Sequence, residues 1–313
     1  MKHIFIVNPI SGRANASETL VPQIHAAAKA AGIDYAVELT QAPLHAVQLA
    51  KQYASTGEEV RLYACGGDGT MNEVMLGAWE FKNAQVASIP CGSGNDFVRN
   101  FGEPEDFLNL KEMIEGVPVT IDLMRTDDGI SIDICSAGLD AQVAYGIPKF
   151  RRVPLCGGSM AYNLSVVQCV CGHLGHKLRV TVDDETMELD GLMVAVCNGK
   201  TYGGGFQAAP EARMDDGLLD VLIVKKISRV KIASVVAAYK NGKHFKGGQI
   251  VHPFEEIIFF RRVRKVAIVP VDDQPLVVNV DGECAVKPGL SAEVIPAAGR
   301  VVLPRALAKK FAE

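Results

Sequence analysis

Ten residues, Cys65 to Val74 (CGGDGTMNEV), place three glycines, a carboxylate and a threonine between an apolar run and a helical pattern. Gly66, Gly67 and Gly69 allow positive φ and let a ligand approach the backbone closely. Thr70 and Glu73 have the T-x-x-E spacing of a capping box, which predicts a helix start at Met71. The loop amides and the helix dipole then aim at one point, and such a point attracts anions, phosphate among them. The loop is not a Walker A motif, since no Lys-Ser/Thr pair follows, and no G-x-G-x-x-G opens a helix as a dinucleotide fingerprint would. Asp68 stands out, because a carboxylate beside a phosphate is repulsive unless something stands between them. The plain alternative is a tight strand–helix turn in which Asp68 bonds loop amides.

A second loop, Cys91 to Phe97 (CGSGNDF), repeats the design. Gly92, Ser93 and Gly94 suit a second phosphate, and Asn95 and Asp96 start the helix after it. A third loop, NPISG, begins at Asn8. Far downstream, Asp281 and Glu283 stand in VNVDGE. Taken alone, Asp-Gly at that point reads as a turn between strands.

These loops must be held by something rigid, and the elements around them are legible. Strands are predicted at 3–7, 35–39, 60–64 and 85–89. Between them lie a helix capped by Ser17 and ended by Gly32, a helix opened by Pro43, and the helix after Gly69. Strands alternating with helices imply a parallel sheet covered on both faces, with ligands outside the carboxyl ends of the strands. All three glycine-bearing loops sit at such ends. From about residue 117 the pattern changes to short apolar or alternating runs: VTIDLM, ISIDICSA, KLRVTVD, LMVAVCN, LLDVLIV, KVAIVPV and LVVNVDGE. These predict an antiparallel sandwich or barrel, with helices at 159–172 and 230–242 inserted among them. The expected division is an α/β domain over 1–124, with a tail at 300–313 packing back onto it, and a β-sandwich domain over 125–299.

Composition narrows the function classes. The 313 residues are 48% hydrophobic and 22% charged, with a net charge of −4 that gives no hint of a nucleic-acid partner. Eight cysteines lie mostly inside apolar runs without a CxxC pair, and the N-terminal apolar run is too short for a signal peptide. Reduced thiols in a cytoplasmic protein are the expectation. No apolar run reaches the roughly 20 residues that span a bilayer.

Taken together, NPISG, GGDGTMNEV, GSGNDF, PEARMDDGLLDV (210–221) and VNVDGE resemble the diacylglycerol kinase–like lipid kinases, which include bacterial lipid kinases and the sphingosine kinases. The resemblance runs nearly end to end. GGDG alone is shared with NAD kinases and phosphofructokinases; GSGNDF with DDGLLDV and DGE is more specific. The resemblance implies an α/β nucleotide domain (NAD kinase/phosphofructokinase-like), a C-terminal β-sandwich domain, and an active site in the cleft between them. It implies ATP and Mg²⁺ as cofactors, with ATP on Thr40, Gly66, Gly67, Asp68, Gly69, Thr70, Asn72 and Ser93, joined by Asn8, Gly92 and Asn95 of the flanking loops. Around a magnesium–water network it places Asp68, Asp96 and Asp122, with Asp281 and Glu283 facing them. A structural magnesium is implied on Asp216 and the backbone carbonyls of Arg213 and Leu218. Ser93 stands where many relatives carry Thr. The implied reaction is transfer of the γ-phosphoryl group to a hydroxyl of diacylglycerol or a related lipid alcohol; a soluble acceptor such as NAD, or nucleotide binding without turnover, are the alternatives. A carboxylate must take the hydroxyl proton, from Asp281, Glu283 or Asp68, with the Asp281/Glu283 pair favoured.

Two further features compete for attention. Cys169, Cys171, His173 and His176 resemble a metal cluster, with 169, 173 and 176 on one face if the helix continues. Their order matches no common zinc spacing, so a buried or half-buried helix face is the expectation. KFRRVP (149–154) and FFRRVRK (259–265) mix positive charge with apolar residues. They read as a solvated rim or as attraction to anionic headgroups, worth about 1 kcal/mol per basic residue near the surface. Transient peripheral membrane contact follows from the second reading, and a homodimer is compatible with the sequence.

Overall fold

The apolar runs that open the chain form parallel strands because the central ones are buried on both faces and so carry no polar alternation. A computed structural model of the chain describes residues 1–12, 15–151, 159–272 and 274–313. The chain divides into two units, Met1–Leu123 with Pro296–Glu313, and Met124–Ile295.

In the first unit, β1 (Lys2–Val7), β2 (Tyr35–Leu39), β3 (Val60–Gly66) and β4 (Ala84–Pro90) pair in the order β4-β3-β1-β2, all parallel. Phe5 sits opposite Val37 and Tyr63 in that register, and its ring stacks on Tyr63 at 4.1 Å. Helix α1 (Ala16–Ala31) begins one residue before the expected cap, Ser17. Asn15 is the cap: its Oδ1 accepts the Ser17 amide at 3.1 Å and the Ser17 hydroxyl at 2.6 Å. Gly32, at φ 62°, ends it as predicted.

Helix α2 (His45–Ala54) and α3 (Asp68–Ala78) correct the capping-box expectation. Helix α3 starts at Asp68, not Met71, and no side chain caps it. Glu73 instead turns to α2, whose own cap residue Leu44 offers no oxygen. The Glu73 carboxylate accepts the Leu44 and Ala46 amides at 3.1 and 3.2 Å. Glu73→Ala is therefore expected to lower stability by about 1–2 kcal/mol, as loss of a good cap does. Urea unfolding reads this directly, and an unchanged midpoint would show that water caps α2 equally well.

After two short 3₁₀ turns (Phe97–Asn100 and Pro104–Phe107) and α4 (Leu110–Ile114), the chain leaves the unit within β5 (Val117–Thr126) and returns within β19 (Leu290–Leu303). Val301 and Val302 extend the parallel sheet beside Val86 and Ala87 of β4. Helix α8 (Arg305–Phe311) follows, with Phe311 edge-on to Phe101 at 5.3 Å.

The second unit is an antiparallel sandwich, as expected. Its elements are β6 (Gly129–Ser131), β7 (Ile134–Gly138), α5 (Leu139–Arg151), α6 (Ser159–Cys171), β8 (His176–Val182) and β9 (Glu185–Cys197). There follow a hairpin of β10 (Thr201–Tyr202) and β11 (Phe206–Gln207), then β12 (Leu219–Lys225), α7 (Arg229–Lys240), and a hairpin of β13 (Phe245–Lys246) and β14 (Gln249–Ile250). Strands β15 (Ile258–Val263), β16 (Lys265–Pro270), β17 (Leu276–Val280) and β18 (Glu283–Lys287) complete it. The long β9 pairs with β8 along its first half and with β7 and β12 along its second. Val194, Val196, Val221 and Ile223 join one core, whereas Ala195, Cys197, Leu222 and Val224 join another with Ile232 and Tyr239 of α7. Both faces of β12 and of the second half of β9 are covered, which explains their unbroken apolar runs.

Helix α6 ends at Cys171, so His173 lies beyond it and His176 is in β8. The shared helix face imagined for Cys169, His173 and His176 does not exist. Among the described residues, no three His, Cys, Asp or Glu side chains are grouped to hold a metal.

Asp140, in the first turn of α5, is half-buried with both carboxyl oxygens shut off from solvent, and burial pushes its carboxyl from 3.8 up to about 6 despite the nearby Ser136 and Tyr202 hydroxyls. A raised carboxyl pKa supports the fold below the unfolded value and withdraws that support as pH climbs through the folded one. The withdrawal amounts to about 3 kcal/mol. Asp140→Asn, which cannot ionise, is expected to approach the native chain in stability near pH ~4.5 and to exceed it at pH ~7.5. Parallel pH–stability curves for the two proteins would show that Asp140 is not ionising in this range.

Candidate active site

Four strand ends of the first unit are stitched together by backbone hydrogen bonds. The Asn8 amide donates to the Cys65 carbonyl (3.0 Å), Thr40 to Val7 (3.0 Å) and Cys91 to Gly66 (2.7 Å). The loops that follow are joined by side chains too. Asn8 donates to the buried Thr70 hydroxyl at 3.2 Å and accepts the Ile10 amide at 3.2 Å. Asn95 closes its own loop by accepting the Gly92 amide and donating to the Gly92 carbonyl, both at 3.0 Å.

The glycines are needed for room more than for φ, which corrects the reading of 66, 67 and 69. None of those three has positive φ, whereas Gly12 (φ 84°) and Asn95 (φ 52°) do. A Cβ on Gly66 would strike Thr70 Oγ1, and one on Gly12 the Cys91 carbonyl oxygen. Gly67 and Gly92 oppose each other backbone to backbone, with the Gly92 Cβ position 2.5 Å from Gly67 Cα. Gly69 differs: nothing lies within 4 Å of its Cβ position, at the uncapped N-terminus of α3. That open space bordered by helix-terminal amides is a cradle suited to phosphate.

Asp68 does bond a loop amide, but not one in its own loop. Its Oδ1 accepts the Phe97 amide at 3.0 Å, tying the GGDG loop to GSGNDF. Its Oδ2 lies 2.8 Å from the Cβ position of Gly94, and Asp96 Oδ2 lies 3.5 Å from the same point. Two carboxylate oxygens thus border one small volume beside the cradle. Oxygen donors of this kind fit Mg²⁺. Ser93 is exposed, Thr40 half-buried, and Asn72 has a buried Oδ1 without a hydrogen-bond partner among the described residues. Asp122 lies deep in β5 and accepts the Ala297 amide at 2.8 Å.

In the second unit, Asp281 and Gly282 form the two-residue turn between β17 and β18, with φ of 46° and 95°. Positive φ at both positions is the mark of a type I′ hairpin. Asp281 receives three amides: Ile132 at 2.7 Å on Oδ2, and Asp133 and Ile134 at 3.0 and 3.1 Å on Oδ1. Burial raises its pKa, and those amides pull against the rise. Glu283, two residues on, is exposed, and its carboxylate has no hydrogen-bond or ion-pair partner among the described residues. Asp281's partners escaped the sequence reading, which took ISIDICSA as a single strand. The run breaks between Ser131 and Ile134, and that break frees the amides that Asp281 gathers.

At the predicted structural-metal turn, Asp216 Oδ1 accepts the Leu218 amide at 3.0 Å, and Gly217 has φ 71°. Arg213 is held by both oxygens of Asp215 at 3.1 Å. One carboxylate and two carbonyls make an oxygen-only donor set, which suits a hard cation that keeps several waters.

Comparison with known proteins identifies the family of both units. Residues 2–126 match the diacylglycerol kinase catalytic domain, and residues 133–303 match the YegS C-terminal NAD kinase beta sandwich-like domain. A diacylglycerol kinase of Staphylococcus saprophyticus is 27% identical over 280 residues, 89% of this chain and 87% of the relative. A "Probable lipid kinase YegS-like" protein of Chromohalobacter salexigens is 30% identical over 224 residues, 69% of this chain and 71% of the relative. A crystal structure of a Bacillus anthracis diacylglycerol kinase superposes with a TM-score of 0.69 at 20% identity, covering 98% of both chains. A second Bacillus anthracis structure reaches 0.74 at 23% identity, over 97% of this chain and 98% of its own. These two share the fold.

Proposed function

Because this chain belongs to the diacylglycerol kinase–like lipid kinases, we propose that it moves the γ-phosphoryl group of ATP to a hydroxyl of diacylglycerol or a related lipid alcohol. One observation carries the reading: Asp68 and Asp96 converge beside the open cradle at Gly69, on loops locked to each other through the Phe97 and Cys91 amides.

The cradle amides and Thr70 would receive phosphate oxygens, with Thr40, Asn72 and Ser93 flanking. Asp68 Oδ2 and Asp96 would hold Mg²⁺, which neutralises charge on the phosphates. This answers why a carboxylate sits in a phosphate loop. Asp68 spends one oxygen on loop geometry and keeps the other for a cation. Asp122, committed to the Ala297 amide, positions the strand end rather than the metal.

For the base, the two candidates of the DGE turn separate on their partners. Asp281 is a positioning residue, since a carboxylate holding three amides organises backbone. Glu283 has its oxygens available, so it accepts the hydroxyl proton as the oxygen–phosphorus bond forms. The test is a magnesium–ATP assay over diacylglycerols, monoacylglycerols, sphingosine, ceramide and NAD. Lipid phosphorylation is the expected result. Turnover of NAD alone, or ATP binding without turnover of any alcohol, would overturn the reading.

A further inference from the structure

Helix α6 has the sequence SMAYNLSVVQCVC, without one charged residue. Ala161 and Ser165 face inward, and the Ser165 hydroxyl donates to the Val143 carbonyl of α5 at 2.6 Å. Met160, Leu164 and Val167 face outward, 52%, 37% and 57% exposed, and Cys171 continues the row. At 100° per residue these four fall within an arc of roughly 60°. A surface helix ordinarily carries charge on its outer face, so an apolar outer stripe calls for a cover.

The surroundings say which cover. Beside the C-terminal half of α6 a cleft of ≈ 700 Å³ opens among Tyr145, Pro148, Cys169, His173 and Pro275. Gly172 and His173 also border a second hollow of ≈ 470 Å³ whose other walls include Lys226, Ser228 and Arg229. Arg229 reaches the last turn of α6, donating to the Val170 and Gly172 carbonyls at 2.8 and 2.9 Å. Next to it Val230 projects, 81% exposed, with Lys231 following. The stripe therefore runs into a basic, hydrogen-bonding hollow. The basic cluster FFRRVRK offers less, because Arg261 pairs with Glu185 and Arg262 with the buried Asp220. In KFRRVP, residues 152–154 lie outside the described residues.

We propose that the outer face of α6, together with the Lys226–Arg229 hollow at its end, is the surface that seats this chain on an anionic bilayer. The apolar stripe enters the acyl boundary while the cations meet phosphate headgroups, the division of labour of an interfacial helix. The proposal names the membrane contact of the lipid-kinase reading and rests on it for the choice of partner.

The test is co-sedimentation of the full chain with vesicles of phosphatidylcholine containing 30% phosphatidylglycerol, and with pure phosphatidylcholine. The native protein should bind the anionic vesicles. Leu164→Asp with Val167→Asp should lower partitioning by about tenfold or more, with an unchanged unfolding midpoint, because both positions are exposed. Lys226→Glu should weaken binding to the anionic vesicles alone, and less so at high salt. Should the double variant fold poorly, Val167→Trp gives a second readout, a blue-shifted emission on anionic vesicles. No binding by the native chain, equal binding by the double variant, or an unshifted Trp emission overturns the proposal. So does a native dimer that the double variant splits while vesicle binding persists. Turnover of a short-chain, monomerically dissolved diacylglycerol is measured alongside. Vesicle binding without any lipid turnover would defeat the kinase reading and leave this surface standing.

Discussion

Glu283→Gln is expected to lower kcat for lipid phosphorylation by about 10²–10⁴-fold, with ATP affinity and the unfolding midpoint unmoved. Glutamine keeps the size and the exposed position at the start of β18 but cannot take a proton. Asp281→Asn gives the contrasting pattern. An amide keeps one acceptor oxygen and turns an N–H₂ group toward backbone N–H donors, leaving at least one of the Ile132, Asp133 and Ile134 amides without its acceptor. A lost buried hydrogen bond of this kind costs about 1–3 kcal/mol. That variant should lose stability and activity together, read by urea unfolding beside kinetics. Full activity in Glu283→Gln, with activity lost in a stably folded Asp281→Asn, would exchange the two roles.

The second large effect is at Gly92. An added methyl would sit 2.5 Å from Gly67 Cα and 2.9 Å from Asn95 Oδ1. The first contact is with backbone, so no side chain can swing aside and the two loops must part. Gly92→Ala should cost about 1–3 kcal/mol in stability and weaken nucleotide binding with it. Gly69→Ala is the partner experiment, because among the described residues its methyl meets nothing within 4 Å beyond its chain neighbours and the backbone of its own helix. It should fold like the native chain and bind ATP poorly, since the methyl occupies the cradle itself. Calorimetric titration with magnesium–ATP separates the cases. Native affinity in Gly69→Ala would move the phosphate away from α3.

Three of the four parallel strands were legible because burial on both faces writes an apolar run, and the half-buried edge strand Tyr35–Leu39 was still bounded to the residue. What the sequence hid were choices among equivalent partners. The Thr70–Glu73 spacing suits a capping box, yet Glu73 finds two amides on α2 that nothing else caps. Ser17 is a competent cap, but Asn15 stands two residues earlier and takes its amide. In the sandwich, the apolar run LMVAVCN marked only half of β9, because the other half alternates and pairs with β8 alone. For the site, residue types pointed to the loops, whereas the division between Asp281 and Glu283 appears only when the freed amides at 132–134 are seen.

The last stretch of chain, Pro296–Glu313, belongs to the unit begun by Met1. Val301 and Val302 add the strand beside β4, and Phe311 covers Phe101. A ribosome makes the chain from the other end, so the nucleotide loops emerge early while one edge of their sheet stays unpaired. Some 170 residues of sandwich must be made first, which at about 5–20 residues per second is a wait of roughly ten to thirty seconds. Until then the β4 edge is an open template for pairing with another strand. The unit translated first is thus the last to be finished, and its exposure to misassembly is set by the speed of synthesis.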